Sequence, residues 1–346
     1  MSLSKPFPLL RLPRLPLFKV LNGIGVQERF YISICSSKAK YAIKFYNDRL
    51  KFSVTFHFKK TFAFSLKTMH REHLIDVRPI FGATWTVLSS VEASSGNWFE
   101  KKVKRLLLVL VDVFNIPAIC LVFEERRHEI VTGFINYIQS IKLKVHSLKI
   151  KSKNGEDMEF VLDTCREGFS EIHLDCPMTP GFEYENMPLT PKFSVDKLTI
   201  KNAEWVTTWH LTTFFINCKH LILDECREGS LVKQFIYEWI YGCSQLKYAR
   251  LTFGHDQTRM RLVESDWLGT RLPRVDRCYG SKYLADIMKT IPSTILPTKE
   301  MGWEFGLLDT KVYRIRQQKT GREAHVFSNC RAIGITDSRL AYPNYP

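Results

Sequence analysis

Acidic side chains are scarce for a chain of 346 residues: 35 Asp and Glu stand against 50 Lys and Arg, a formal charge of +15 with pI near 9.4. Such an excess attracts phosphate at long range. Its basic clusters are short, however, as in Lys101-Lys102-Val103-Lys104-Arg105 and Lys142-Leu143-Lys144, and they read as solvated faces rather than a nucleic-acid groove. No CxxC pair occurs among the nine cysteines, which are odd in number and scattered. Neither a disulfide framework nor a zinc knuckle is expected, and a reducing compartment, cytoplasm or nucleus, fits best. No apolar run is uninterrupted enough to cross a membrane, since Leu106 to Phe123 contains Asp112, Asn115 and Pro117. Pro6, Pro8, Pro13 and Pro16 break any signal-peptide helix at the N-terminus.

Chemistry-bearing motifs are equally sparse. There is no G-x4-G-K loop, and Gly23-x-Gly25 is isolated. His210, Cys218, His220 and Cys226 come nearest to a metal cluster, but their spacing matches none of the usual ligand sets. Cys218 reads better as a core thiol. The carboxylate pairs Glu124-Glu125 and Asp224-Glu225 fall at strand ends, where solvated loop positions explain them. No catalytic residues, cofactor or metal are expected.

Apolar patterning is rich: 45% of residues are hydrophobic, with 24 Phe, 13 Tyr and 7 Trp. Residues 7 to 47 read as three short helices. Leu17, Val20 and Leu21 lie at helical spacing, Val26, Phe30 and Ile34 follow at i, i+4 and i+8, and Ser36-Ser37 caps a third helix bearing Ala39, Ala42, Ile43 and Tyr46. About forty residues make a marginal unit, which implies support from a partner or from the rest of the chain. Strict alternation from Lys51 to Phe58, repeated at Phe62, Phe64 and Leu66, predicts a hairpin. Another strand pair is expected around Trp85 to Leu88, with a loop at Ser94 to Asn97. A helix ending near Val113, a turn at Asn115 to Pro117 and a strand Ile119 to Phe123 come next.

One pattern recurs. The motif apolar-x-x-apolar-x-apolar appears as Ile116/Ile119/Leu121, Val145/Leu148/Ile150, Phe169/Ile172/Leu174, Val195/Leu198/Ile200, Cys218/Leu221/Leu223 and Leu246/Ala249/Leu251. Intervals between middle positions are 29, 24, 26, 23 and 28 residues, in or near the range of leucine-rich repeats. Helical periodicity sits between the strands, with Ile130, Val131, Phe134, Tyr137 and Ile138 on one face of 127–140 and Leu231, Phe235 and Trp239 along 230–241. The Asn or Cys that closes such a repeat appears only as Cys226, so an irregular stack of parallel strands and an unrelated α/β sheet both remain open. Gly254 to Gly302 is loop-rich. Lys311 to Arg316 and Ala324 to Phe327, joined by Lys319-Thr320-Gly321, predict a terminal hairpin capping the edge of the stack.

The run Phe7-Pro8-Leu9-Leu10-Arg11-Leu12-Pro13-Arg14-Leu15-Pro16-Leu17, then Val20-Leu21, resembles the opening of a nematode F-box. Glu28-Arg29-Phe30-Tyr31-Ile32-Ser33-Ile34-Cys35-Ser36-Ser37-Lys38 is similar to that family's second segment. Residues 203 to 251 resemble the type 2 F-box-associated domain of the same family. The matching residues are Glu204-Trp205-Val206-Thr207, His210-Leu211, Cys218, Ile222-Leu223, Phe235-Ile236, Trp239-Ile240, Gly242 and Leu246. Lys233 stands where the family usually has Asn. The resemblance implies a non-catalytic substrate-recognition subunit of a Skp-cullin-F-box ubiquitin ligase. Leu12, Pro13, Leu17, Val20, Leu21 and Ile34 would dock on the Skp-type adaptor, and through it on a cullin, to bring in a protein substrate.

The expected fold is α/β: a helical F-box over 6–47, a mixed connecting region with a β-hairpin over 48–115, a repeat-like region over 116–255 holding the F-box-associated domain from about 190, and a loop-rich region with a terminal hairpin over 256–346. A repeat-type interaction scaffold without ligase coupling and a basic nucleic-acid binder are the alternatives. The densest aromatic group, Trp205, Trp209, Phe214, Phe215 and Trp239, suits either core packing or a substrate groove.

Overall fold

The computed structural model describes residues 9–59, 62–68, 72–75, 96–153, 155–178, 182–184, 193–227, 230–242, 244–253, 284, 288–291, 293–296, 312–328 and 332–337. The strand pair expected at Trp85 to Leu88, and most of the stretch Gly254 to Gly302, lie outside them. The protein is mixed α/β, and its contacts divide it into two compact units, Met1–Asp157 and Met158–Pro346.

Unit one opens with three helices, α1 (Arg14–Gly23), α2 (Val26–Cys35) and α3 (Ser37–Asn47). Pro13 is the N-cap of α1 and Pro16 falls in its first turn, where a missing N–H breaks no helical bond. Ser36 caps α3, its Oγ accepting from the Ala39 N–H at 3.1 Å. A sheet follows in the order β3 (Glu72–Ile75), β2 (Phe62–Lys67), β1 (Ser53–Phe58), β4 (Ala118–Glu124), β5 (Lys144–Lys151). The β1–β2 hairpin is antiparallel, and β1, β4 and β5 run parallel. Parallel neighbours need crossovers, supplied by α4 (Gly96–Phe114) before β4 and α5 (His128–Ser140) before β5. Gly96 and Asn97, expected in a loop, open α4. Asn115 turns the chain out of that helix at φ 46°, a region Asn tolerates better than most residues.

Alternation decides what β1 buries. Phe52, Val54, Phe56 and Phe58 point into the core, where Phe58 stacks on Phe123 at 4.6 Å and meets Phe134 of α5 edge-on at 4.8 Å. Helix α5 buries Val131, Phe134, Ile135 and Ile138, so the apolar stripe is rotated slightly from Ile130 and Tyr137, which stay half-buried.

Helix α6 (Glu156–Thr164) spans the division. Unit two then carries β6 (Phe169–Asp175), β7 (Lys197–Lys201), a π-helical turn at His210–Phe214, β8 (His220–Cys226), α7 (Ser230–Tyr241), β9 (Tyr248–Phe253), β10 (Thr294–Leu296), β11 (Val312–Arg316), β12 (Glu323–Ser328) and β13 (Ala332–Asp337). Strands β6 to β9 are parallel and adjacent in sequence order. Ile172, Leu198, Leu221 and Ala249 align across them, as do Leu174, Ile200, Leu223 and Leu251, all buried. The recurring motif is thus a set of stacked strand positions. Between β4 and β5 the register shifts after Ile119, so Leu121, not Ile119, lies beside Leu148.

The terminal hairpin of β11 and β12 forms as expected, with Gly321 at φ 70° in its turn. A further strand, β13, joins it to β9 antiparallel, so the closing strands extend the sheet over its β9 edge. Gln317 ties them down: its buried Nε2 donates to the carbonyls of Trp239 and Ser244 at 3.1 and 3.4 Å.

Candidate functional site

Helices α1 to α3 have an inner and an outer side. On the inner side Leu21, Val26, Phe30, Ala39 and Ile43 are buried, and the Phe30 ring lies 6.0 Å from Phe64 of β2 and 6.4 Å from Phe114 of α4. Asn47 is fully buried and joins three elements, its Nδ2 donating to the Val113 carbonyl at 3.2 Å while its Oδ1 accepts from Arg29 at 3.4 Å. Burial holds the Arg29 guanidinium below its ordinary pKa, partly offset by Tyr46 and Glu28. Lys44 reaches Asp112 at 2.6 Å and Lys40 grips the same carboxylate, whose pKa is held down by these two hydrogen bonds. Asp112, the charge that interrupts the long apolar run, is thus the anchor between α4 and α3.

The outer side carries large apolar side chains among polar and charged ones. Eight large hydrophobic side chains are conspicuously exposed among the described residues, and six of them, Leu15, Val20, Ile34, Tyr41, Phe45 and Leu50, fall within 15–50. Leu15 and Tyr41 are about three-quarters exposed (75% and 73%). Tyr41 and Phe45, one helical turn apart, share a side of α3. Arg14 lies over the Phe45 ring at 4.2 Å and over Phe18 at 5.5 Å, and Arg49 covers Phe18 at 5.1 Å, so cationic heads frame the aromatic part of this surface.

Of the residues expected to dock on an adaptor, Val20 and Ile34 are exposed, Pro13 is exposed at the start of α1, and Leu12 and Leu17 are half-buried. Leu21 is 1% exposed and packs inside the helical unit, because its side of α1 turns toward the core. Leu15, Tyr41, Phe45 and Leu50 were not singled out from the sequence. The helical phase of Tyr41 and Phe45, off the Ala39/Ile43 stripe, was the available signal.

Other sequence candidates resolve into structural roles. His210 is buried. Its Nδ1 accepts from the Thr207 backbone N–H at 3.0 Å and its Nε2 donates to the Tyr184 carbonyl at 3.1 Å, which leaves no lone pair for a metal. Burial pushes its pKa down to about 4. Cys218 and Cys226 are core thiols whose pKa values burial raises to about 12. No group of three or more potential metal ligands comes together among the described residues. Trp205, Phe214, Phe215 and Trp239 are core residues, and half-buried Trp209 stacks on Phe214 at 6.0 Å. Asp224, expected to be solvated, instead accepts from Thr252 Oγ1 at 2.8 Å and pairs with Arg250 at 3.3 Å, so it helps hold β8 to β9. Among the described residues no helix is long and apolar enough to cross a membrane.

Comparison with known proteins adds no relative: no family model, no curated protein and no solved structure matches the chain.

Proposed function

We propose that the protein is a substrate-recognition subunit of a Skp-cullin-F-box ubiquitin ligase, acting in the cytoplasm or nucleus. The observation that carries this reading is the gathering of exposed apolar side chains within residues 15–50, while α2 packs Phe30 against β2 and α3 bonds through Asn47 to the end of α4. A scaffold without ligase coupling would be expected to cover that outer surface with its own chain; Leu15, Val20, Ile34 and Tyr41 remain open. Exposed large apolar side chains gathered in one short stretch are characteristic of protein-interaction sites. Of the F-box-like residues, Pro13, Val20 and Ile34 are exposed and Leu12 and Leu17 half-buried, which supports this reading. The stacked strands of unit two, with their F-box-associated and leucine-rich-like signatures, would present the substrate.

In this role the subunit needs no acid, base or nucleophile of its own. Holding a substrate near a charged conjugating enzyme raises the effective concentration of its lysines, and rate follows from proximity.

The test is co-expression with a Skp-type adaptor and size-exclusion chromatography of the intact chain, a Val20→Asp/Ile34→Asp variant and a Leu108→Asp control. Leu108 is also half-exposed but lies on α4. A one-to-one complex that survives Leu108→Asp and is lost in the double variant, with circular dichroism unchanged, is the expected result. Failure of the intact, folded chain to form a complex refutes the reading.

A further inference from the structure

Over residues 9–50 eight Lys and Arg stand against two carboxylates, Glu28 and Asp48. Three of these cations are engaged inside unit one. Lys40 and Lys44 share Asp112, and the buried Arg29 donates to Asn47. The other five, Arg11, Arg14, Lys19, Lys38 and Arg49, are exposed. The helical stretch therefore presents positive charge alongside its exposed apolar side chains.

Arg14 and Arg49 are held in place by aromatic rings. Arg14 of α1 lies 4.2 Å from the centre of the Phe45 ring and 5.5 Å from that of Phe18, and Arg49, just after α3, lies 5.1 Å from the same Phe18 ring. Their guanidinium carbons are thus within about 11 Å of each other. Phe18 packs against Phe45 at 5.8 Å and against Tyr46 at 5.5 Å, which steadies the platform under both cations. A guanidinium is rich in N–H donors, which a ring face does not saturate. Among the described residues neither of these two guanidiniums forms a hydrogen bond or an ion pair.

Phe45 belongs to the exposed apolar set. A partner that covers its ring also takes water from Arg14, 4.2 Å away. Removing water from an unpaired cation is costly, so a purely apolar partner docks poorly there. A carboxylate that arrives with the apolar contact offsets the cost by accepting from the open N–H donors. Phosphate would satisfy the arginines too, but it leaves Leu15, Val20 and Ile34 uncovered; an acidic protein face suits both.

We propose that this helical surface takes an acidic partner face, which seats carboxylates on Arg14 and Arg49 and apolar side chains on Phe45 and Tyr41. The proposal rests on the ligase reading, which makes the partner the Skp-type adaptor; the arginines add the charge that the adaptor must bring. Such charge pairs speed encounter and fix orientation, while the apolar side chains supply the hold.

The test measures association of the Skp-type adaptor with the full chain at several ionic strengths, by biolayer interferometry. Arg14→Gln/Arg49→Gln should weaken the complex about tenfold at low salt, slow association and flatten its salt dependence, with circular dichroism unchanged. Arg14→Lys/Arg49→Lys, which keeps the charge, should recover most of the association rate. A Lys144→Gln/Lys149→Gln control removes the same charge from exposed positions of β5 and should stay within about twofold of the intact chain. Where the double glutamine variant unfolds, Arg49→Gln alone leaves Arg14 on Phe45 and should still weaken binding about threefold. A complex of equal affinity and equal salt dependence in the intact chain and the glutamine variant refutes this inference and leaves the ligase reading standing. Weakening with no change in salt dependence refutes it too, because the arginines then act by packing on Phe18. A single-stranded oligonucleotide that displaces the adaptor and loses affinity in the glutamine variant also overturns it. Absence of a complex with the intact, folded chain refutes the ligase reading and this inference with it.

Discussion

Acid should destabilise unit two through His210. Its ring is locked in one neutral tautomer, because the Thr207 N–H points at Nδ1 and would face another N–H if that nitrogen took a proton. The main cause of its low pKa is desolvation by burial, which outweighs the hydrogen bond to the Tyr184 carbonyl and brings the value to about 4, against 6.5 for the free side chain. A folded value below the unfolded one means that the unfolded chain takes up the proton first as pH falls. Stability from this residue is therefore complete above about pH 7.5, lower by about 2 kcal/mol at pH 5 and by about 3 kcal/mol at pH 4. Urea unfolding followed by circular dichroism from pH 8 to pH 4.5, comparing the intact chain with His210→Gln, isolates the effect. The variant loses stability at neutral pH but should show a flatter acid limb, since glutamine has no proton to take up. Parallel acid limbs in the two proteins would refute the argument.

Asn47→Ala leaves the Val113 carbonyl without its donor and Arg29 without its acceptor, and should cost about 1–3 kcal/mol in urea unfolding, more than an alanine substitution at an exposed position. Gly334→Ala drives a methyl into the Phe327 ring and should lower stability by about 1–3 kcal/mol, while Gly334→Ala/Phe327→Leu recovers part of the loss. Iodoacetamide at pH 8, read by mass spectrometry, should label exposed Cys35 of the native chain and spare Cys165, Cys218 and Cys226, whose thiols burial holds near 12.

Local alternation and helical period carried most of what could be foreseen. The triplets from Phe169/Ile172/Leu174 to Leu246/Ala249/Leu251 became aligned, buried strand positions because each strand declares its inward face within six residues. The end of α4, the Asn115 turn and strand β4 follow from equally local cues. Strand β13 escaped notice, since Ile333 and Ile335 around Gly334 make a weak pattern and its partner β9 lies some eighty residues earlier. For the same reason the alignment of Lys197, His220, Tyr248, Thr336, His325 and Arg314 across six strands could not be read in advance, since only the register puts them side by side. At the helical site the apolar residues were legible but their division into inner and outer was not. Leu21 and Val20 are neighbours in sequence, and which one faces water depends on where α1 comes to rest against α3.

The joint made by Asn47, Arg29 and Val113, reinforced by Asp112, has a mechanical meaning. Its bonds run from α3 to α2 and to the end of α4, the helix that feeds directly into β4, so α2 and α3 are tied through α4 to the sheet of unit one. A partner that grips Ile34 or Tyr41 therefore fixes the heading of β4 as well as its location. The grip behaves as a bracket rather than a tether, and distance to anything mounted farther along unit one is set by its geometry instead of by the sweep of a loose arm.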